Sequence, residues 1–485
     1  MQVITIEFLI FLPLVALVYY LIPGKIRYIW LLVASYFFYM SASPVCALFL
    51  VTSTMTTYAA GLLLQKKRRK SVLVCCLLIN LGILGVFKYA DFACGTAAGI
   101  LSVFHVQMTD PGIKLLLPVG ISFYMFQALG YVIDVYRGDI TAEVNPFRYA
   151  LFVSFFPEVM SGPIERAGHM LPQFREPAAF DPDHVRDGLL RMMWGYFLKM
   201  VLADRIAILV NTVYADPEKY PGTVLLVATI LYTFQIYCDF AGYTNIAVGA
   251  AGVMGIQVME NFDCPYLAGS IADFWRRWHI SLSGWFRDYL YFPLGGNRKG
   301  LVRKYINIMI VFMVSGLWHG ADWTFVLWGG LHGLYQIIGK LLMPVRNFMV
   351  KAFHVNRNSF SHRLLKILCT FSLVSFAWIF FRAEDINTAL YVAGHLWHFQ
   401  PWVLTDGTLY GLGLDAAGFN LMLGCLAVLI AADLCHFHGL KISEKITAQG
   451  IWLRWLIYIA AVMFILVCGI WGPGYDETGF IYYQF

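Results

Sequence analysis

An all-α polytopic membrane protein is the architecture to expect from this chain, on three observations. Of its 485 residues, 59% are apolar and only 13% charged, about half the roughly 25% charged share of soluble domains. Mean hydropathy is +0.66. Apolar runs of about 18 residues or more, long enough to cross a bilayer as a helix, recur from one end of the chain to the other. So few charges cannot solvate the surfaces of the several soluble domains that a chain of this length would otherwise form. A disordered chain, a soluble Rossmann or barrel enzyme and a secreted disulfide scaffold are excluded. The ten cysteines lie mostly inside apolar stretches with no pairing rhythm, as buried small hydrophobes do.

The candidate spans follow in order. The first, 3–22, has no basic leader and no small-residue cleavage site, so it is expected to be retained. After it come 28–42, 44–64, 71–89, 114–135, 147–161, 187–213, 222–254, 304–318, 324–343, 364–381, 417–434 and 452–471. Some of these are expected to be re-entrant or interfacial, leaving about eleven crossings. The segments 92–105 and 264–293 are interrupted by glycine, proline and charge. Irregular backbone at membrane depth is tolerated only where protein or a water-filled cavity satisfies it, so 264–293 is expected to line a cavity. Glu158, Glu165 and Arg166 near Pro157 and Pro163 are too charged to face lipid; a cavity wall and an ion pair at a helix break account for them equally.

Basic clusters at Lys25/Arg27, Lys66–Lys70, Arg298–Lys304, Arg346–Lys366 and Lys441/Lys445 fall on the cytoplasmic side by the positive-inside rule. That places the first span's start and the residues after 471 outside. The net charge of +6 (35 basic against 29 acidic) is spread over these short clusters, so the partner to expect is the bilayer, not nucleic acid. Residues 1–485 read as one integral membrane domain, without a soluble module, a long linker or a solenoid repeat.

Ionisable side chains inside a membrane segment are costly and become candidates for function. His319 ends the apolar run 305–318, in Trp318-His319-Gly320. His279 lies in Asp273-Phe274-Trp275-Arg276-Arg277-Trp278-His279, too charged for lipid and too aromatic for an ordinary loop. Such a stretch reads as a polar wall with stacking surfaces, suited to a hydroxylated or phosphorylated ligand. The two histidines are separated by Pro293-Leu294-Gly295-Gly296, so only tertiary folding can bring them together. Taken alone, each is as readily a hydrogen-bonded core residue as a functional one.

Together, PVGISFYMFQALGYVIDVYRG (118–138), FFPEVMSGPIERA (155–167), YCDFAGYTNIAVG (237–249), DFWRRWHISLSGWFRDYLYFPLGGNRKG (273–300) and SGLWHGADWTFVLWGGLHG (315–333) resemble the membrane-bound O-acyltransferase (MBOAT) family. The resemblance is greatest to its bacterial branch that O-acetylates alginate and peptidoglycan, with teichoic-acid D-alanyltransferases as cousins. It implies helices around a central funnel and an O-acyltransferase moving acetyl from a cytoplasmic donor toward hydroxyls of an exported or cell-wall polysaccharide. It also implies location in the cytoplasmic (inner) membrane, acetyl-CoA or an acyl-carrier thioester as donor with no tightly bound cofactor, and an extracytoplasmic SGNH-type acetyltransferase as partner. D-alanyl transfer to teichoic acid is the alternative within the class. A polysaccharide or small-molecule transporter is the alternative outside it.

By the same resemblance His319 is the catalytic histidine and His279 the second family position. A neutral imidazole is suited to take a hydroxyl proton near pH 7. His279 is expected to polarise the acyl carbonyl or orient the acceptor, with Trp318 and Trp278 keeping the imidazoles dry and neutral. Asp239, Arg276 and Arg277 are supporting candidates. Asp239 either orients a histidine or forms a structural ion pair with Arg276 or Arg277. The terminal FIYYQF (480–485) is similar to the aromatic tail of a small D-alanylation partner in which a tyrosine accepts the acyl group. Tyr482 is therefore a candidate acyl carrier, against the plainer reading of an interfacial aromatic anchor. No metal is expected: Asp433-Leu434-Cys435-His436-Phe437-His438 offers ligands but lacks a second ligand pair.

Overall fold

The computed structural model describes residues 1–105 and 118–472, and within them the chain is helical, with one isolated antiparallel bridge between Phe262 and Trp278. Among the described residues, seven helices are long and apolar enough to cross a membrane: Pro44–Lys66, Lys70–Val103, Gly222–Val253, Gly300–His319, Phe360–Arg382, Ala416–Phe437 and Ile451–Cys468. Ile6–Leu21 is a shorter apolar helix. The chain is thus a multi-pass membrane protein. Residues 92–103 of the stretch 92–105, expected to be interrupted, instead continue the helix that begins at Lys70, and a turn follows at 104–105. Gly95 and Gly99 each weaken a helix by only about 1 kcal/mol, which so long an apolar helix absorbs. The expected span 147–161 does break: its helix stops at Ser154 and irregular backbone follows.

Two compact units divide the chain. The first comprises residues 1–192 and 244–259. Helix Pro146–Ser154 starts there because Pro146 presets the first helical turn and the Asn145 carboxamide accepts from the N–H groups of Phe147 and Arg148. Buried hydroxyls tie the unit together: Tyr149 donates to Thr57 Oγ1 at 2.7 Å and Tyr39 to the Val119 carbonyl at 2.8 Å. Glu165 accepts from His169 Nδ1 at 2.9 Å and from the Met259 N–H, and Glu158 is buried nearby.

The second unit comprises residues 193–243 and 260–485. Its core is a cluster of large aromatics, with Trp278, Trp328 and Trp378 fully buried. Helices Gly300–His319 and Trp323–Leu341 form a tight hairpin. A Cβ on Gly316 would overlap the Phe325 carbonyl, and one on Gly329 the Phe312 carbonyl. These small residues let the two backbones approach as closely as membrane helices do. The Asp322 carboxylate caps the second helix by accepting from Thr324 N–H at 2.7 Å. The turn thereby holds His319 at the end of the first helix.

Candidate active site

The segment 264–291 is a run of short pieces: a 3₁₀ turn Pro265–Leu267, helices Ile271–Arg277 and Ile280–Phe286, and a π-helical turn Arg287–Tyr291. Ser270 caps the first of these helices by accepting from Asp273 N–H. Trp278 is extended, and His279 takes φ +45°, a left-handed conformation unusual for any residue with a Cβ. That turn drives the His279 ring into the core, where it is fully buried.

The His279 and His319 rings lie 6.4 Å apart, centroid to centroid. His319 is 2% exposed. Trp318 stands 6.0 Å from His279 and 4.9 Å from His319, and Trp328 is 4.9 Å from His319. Phe240 closes the other side of His279 at 4.7 Å. The His279 ring is thereby enclosed by aromatic side chains.

Hydrogen bonds fix which nitrogen carries the proton. His319 Nδ1 is 2.7 Å from the Ser315 carbonyl, which can only accept. Neutral His319 therefore carries its proton on Nδ1, and Nε2 is the basic nitrogen. Asn261 Oδ1 accepts from Ser281 N–H at 3.2 Å and from Ser281 Oγ at 2.9 Å, so it is the oxygen, and His279 Nδ1 at 3.1 Å must donate to it. Neutral His279 thus also presents an unprotonated Nε2. A nitrogen without a proton cannot polarise a carbonyl, but it can accept from and orient a hydroxyl. Of the two roles expected for His279, the geometry favours orienting the acceptor.

The sequence profile of the MBOAT, membrane-bound O-acyltransferase family, matches residues 18–381. The chain belongs to this family. It is 37% identical over 404 residues to the "Probable alginate O-acetylase AlgI" of Pseudomonas putida, covering 82% of this chain and 80% of that one. It is 34% identical over 342 residues to a peptidoglycan O-acetyltransferase of Helicobacter pylori (65% and 62%). It is 29% identical over 320 residues to a teichoic acid D-alanyltransferase of Bacillus subtilis (61% and 78%). An O-acyltransferase is an enzyme, and the transporter alternative is set aside.

Within this MBOAT site the supporting residues fall differently from expectation. Arg276 is largely exposed and pairs with Asp273 at 3.1 Å. Arg277 bonds Asp263 at 3.1 Å and Asp273 at 3.3 Å. Neither pairs with Asp239, whose carboxylate lies 2.7 Å from Lys199 Nζ. One helical turn sets this: Arg276 and Arg277 follow Asp273 by three and four residues, the spacing of facing side chains on a helix. Trp278 packs its indole into the core against Phe274, Phe262 and Trp378, away from the ring that follows it. Tyr482 lies outside the described residues.

Three residues at the site were not anticipated. Asn261 sets the His279 tautomer. His332 is fully buried, accepts from Trp275 Nε1 at 3.2 Å, and lies 5.1 Å from Trp328, the indole that also flanks His319. An ionisable residue on the apolar helix 323–341 was the signal for it. Lys199 is buried in the run 187–213, 2.8 Å from Asp204 as well as 2.7 Å from Asp239.

Proposed function

We propose that this MBOAT enzyme transfers acetyl from acetyl-CoA on the cytoplasmic side to hydroxyls of an exported or cell-wall polysaccharide. The observation that carries it is the pair of buried imidazoles with both Nε2 atoms unprotonated in the neutral state. The acceptor hydroxyl is oriented at His279 and gives its proton to His319 Nε2 as its oxygen attacks the acyl carbon. The C–S bond of the thioester breaks, the ester C–O bond forms, and the proton leaves with the thiol. In this reading about eleven crossings and re-entrant pieces surround a central funnel in the cytoplasmic membrane, and an SGNH-type acetyltransferase outside completes transfer to the polymer. The similarity to polysaccharide-modifying relatives supports the acceptor class.

Sealed inside-out vesicles given acetyl-labelled acetyl-CoA on the cytoplasmic face should accumulate label in lumenal ester. Transfer from a D-alanyl carrier protein, with none from acetyl-CoA, would sink this reading in favour of D-alanylation. Tyr482 is the proposed covalent relay, taking acetyl on its phenolic oxygen. Tyr482→Phe should then abolish polymer acetylation and leave no hydroxylamine-labile label on the chain. Full acetylation in that variant would return the tail to a simple interfacial anchor.

A further inference from the structure

The ligand-rich stretch Asp433–His438 lacked a second ligand-bearing segment in sequence, and the fold supplies one. Residues 261–264 pair with 277–280: Phe262 bridges Trp278, Asp263 N–H donates to the Arg277 carbonyl at 3.0 Å, and Ile280 N–H to the Asn261 carbonyl at 3.0 Å. Cys264 then takes φ +44°, a left-handed conformation sterically unfavourable for cysteine. This turn aims the Cys264 thiol and the Asp263 carboxylate at the last turn of helix Ala416–Phe437, where His436 stands. One ligand atom from each of Asp263, Cys264 and His436 lies within 4.8 Å of the other two, and His436 Nε2 is 3.5 Å from Asp263 Oδ1.

We propose that Asp263, Cys264 and His436 form a binding site for a divalent ion of the zinc class, and that the ion pins the 261–264 turn whose Asn261 holds His279. One carboxylate, one thiolate and one imidazole make a mixed oxygen, sulfur and nitrogen donor set. That set suits Zn²⁺ and Co²⁺, not Mg²⁺ or Ca²⁺, which take oxygen alone. Asp263 Oδ1 faces the histidine, whereas Oδ2 is held by Arg277 Nη1 at 3.1 Å. The guanidinium, itself resting over the Phe437 ring at 5.4 Å, orients the carboxylate as outer partners of metal ligands do.

Access and geometry agree with this assignment. The Cys264 side chain is buried, while Asp263 and His436 are 48% and 65% exposed. An ion can enter from solvent, and water can fill a fourth position. Bonds of about 2.0–2.3 Å in a tetrahedral site put donors roughly 3.3–3.8 Å apart, so the three must close by up to about 1 Å. The exposed Asp263 and His436 have room to do so. The Cys264 thiol donates to the Asp433 carbonyl at 3.3 Å. On loading, its S–H bond breaks, an S–metal bond forms, and the proton passes to solvent. His436 contributes the Nε2 lone pair of the neutral ring. The ion itself touches no reacting atom; its role is positioning, and its binding does not depend on the acyl-transfer reading.

Full-length protein in lipid nanodiscs, stripped with a chelator and titrated with Co²⁺, tests the site. One equivalent should bind, with a near-ultraviolet thiolate-to-cobalt charge-transfer band, intense visible tetrahedral bands and release of one proton; Zn²⁺ should displace it. Cys264→Ser should remove the charge-transfer band, and His436→Gln, a change at an exposed residue that leaves the fold intact, should weaken binding at least about 10-fold. A folded wild type without the band overturns the proposal. So does a band that survives in Cys264→Ser, because the cobalt then sits on another cysteine. Affinity unchanged in His436→Gln overturns it as well, whether or not the cysteine variant folds.

Discussion

Replacing His319 by glutamine lowers acetyl transfer by about a thousandfold, roughly 4 kcal/mol of transition-state stabilisation, the middle of the range for losing a general base. The loss follows from the proton inventory. The Ser315 carbonyl holds the proton of the neutral ring on Nδ1, so in the proposed reaction Nε2 is the atom that would receive the acceptor's hydroxyl proton. A glutamine side chain keeps an N–H donor within reach of that carbonyl but offers no nitrogen of comparable basicity. The effect falls on kcat, with KM little changed, because the proton moves only in the transition state. Protein yield and the chromatographic profile in detergent should match wild type, since the variant retains the buried hydrogen bond. Turnover of a tenth or more of wild type would remove His319 as the base and leave His279 as the alternative. His319→Ala should lose at least as much activity, with some loss of stability from the cavity left beside Trp318 and Trp328.

The two-histidine pairing was legible in the sequence only through family motifs. Composition and span length carry the polytopic helical fold, because an apolar run long enough to cross a bilayer has few other places to be. They also flag 264–293 as irregular, and the structure breaks that stretch into short helices. The rest depends on local geometry that no periodicity reports. The left-handed turn at His279 has no glycine to announce it. Asn261 reaches His279 from a loop 18 residues earlier. Arg276 and Arg277 belong to the stretch that reads as a polar wall in sequence, yet helical spacing pairs both with Asp273. Lys199 was hidden for a different reason. On an α-helix, positions 199 and 204 do not face each other, so the pair carries no helix-period signal. The π-helical turn Phe197–Ala203 lengthens the hydrogen-bond step to five residues and brings them to 2.8 Å.

That buried trio sets the second large effect. Lys199→Met should destabilise the protein by about 3–5 kcal/mol, the range for removing one partner from a buried ion pair. Lys199 is 1% exposed and lies between the carboxylates of Asp204 and Asp239, both buried, with the Tyr243 ring 5.5 Å from its ammonium. Without the cation, two carboxylates are left close together in a dry interior without the counter-charge that lies between them. Asp239→Asn should cost less, because Lys199 keeps Asp204 as its counter-ion. Lys199→Met combined with Asp239→Asn should recover part of the loss, as a double-mutant cycle would show. Thermal unfolding in detergent gives the comparison, and a Lys199→Met midpoint within a degree of wild type would refute it. The effect also reaches the chemistry. Gly242 lets helix Gly222–Val253 lie against the π-helical turn, with Lys199 in contact. The same helix carries Phe240 beside Asp239, and Phe240 is the wall against His279. Loosening the trio should therefore reduce turnover in the folded fraction of Lys199→Met. Normal turnover per folded molecule would confine the trio to stability alone.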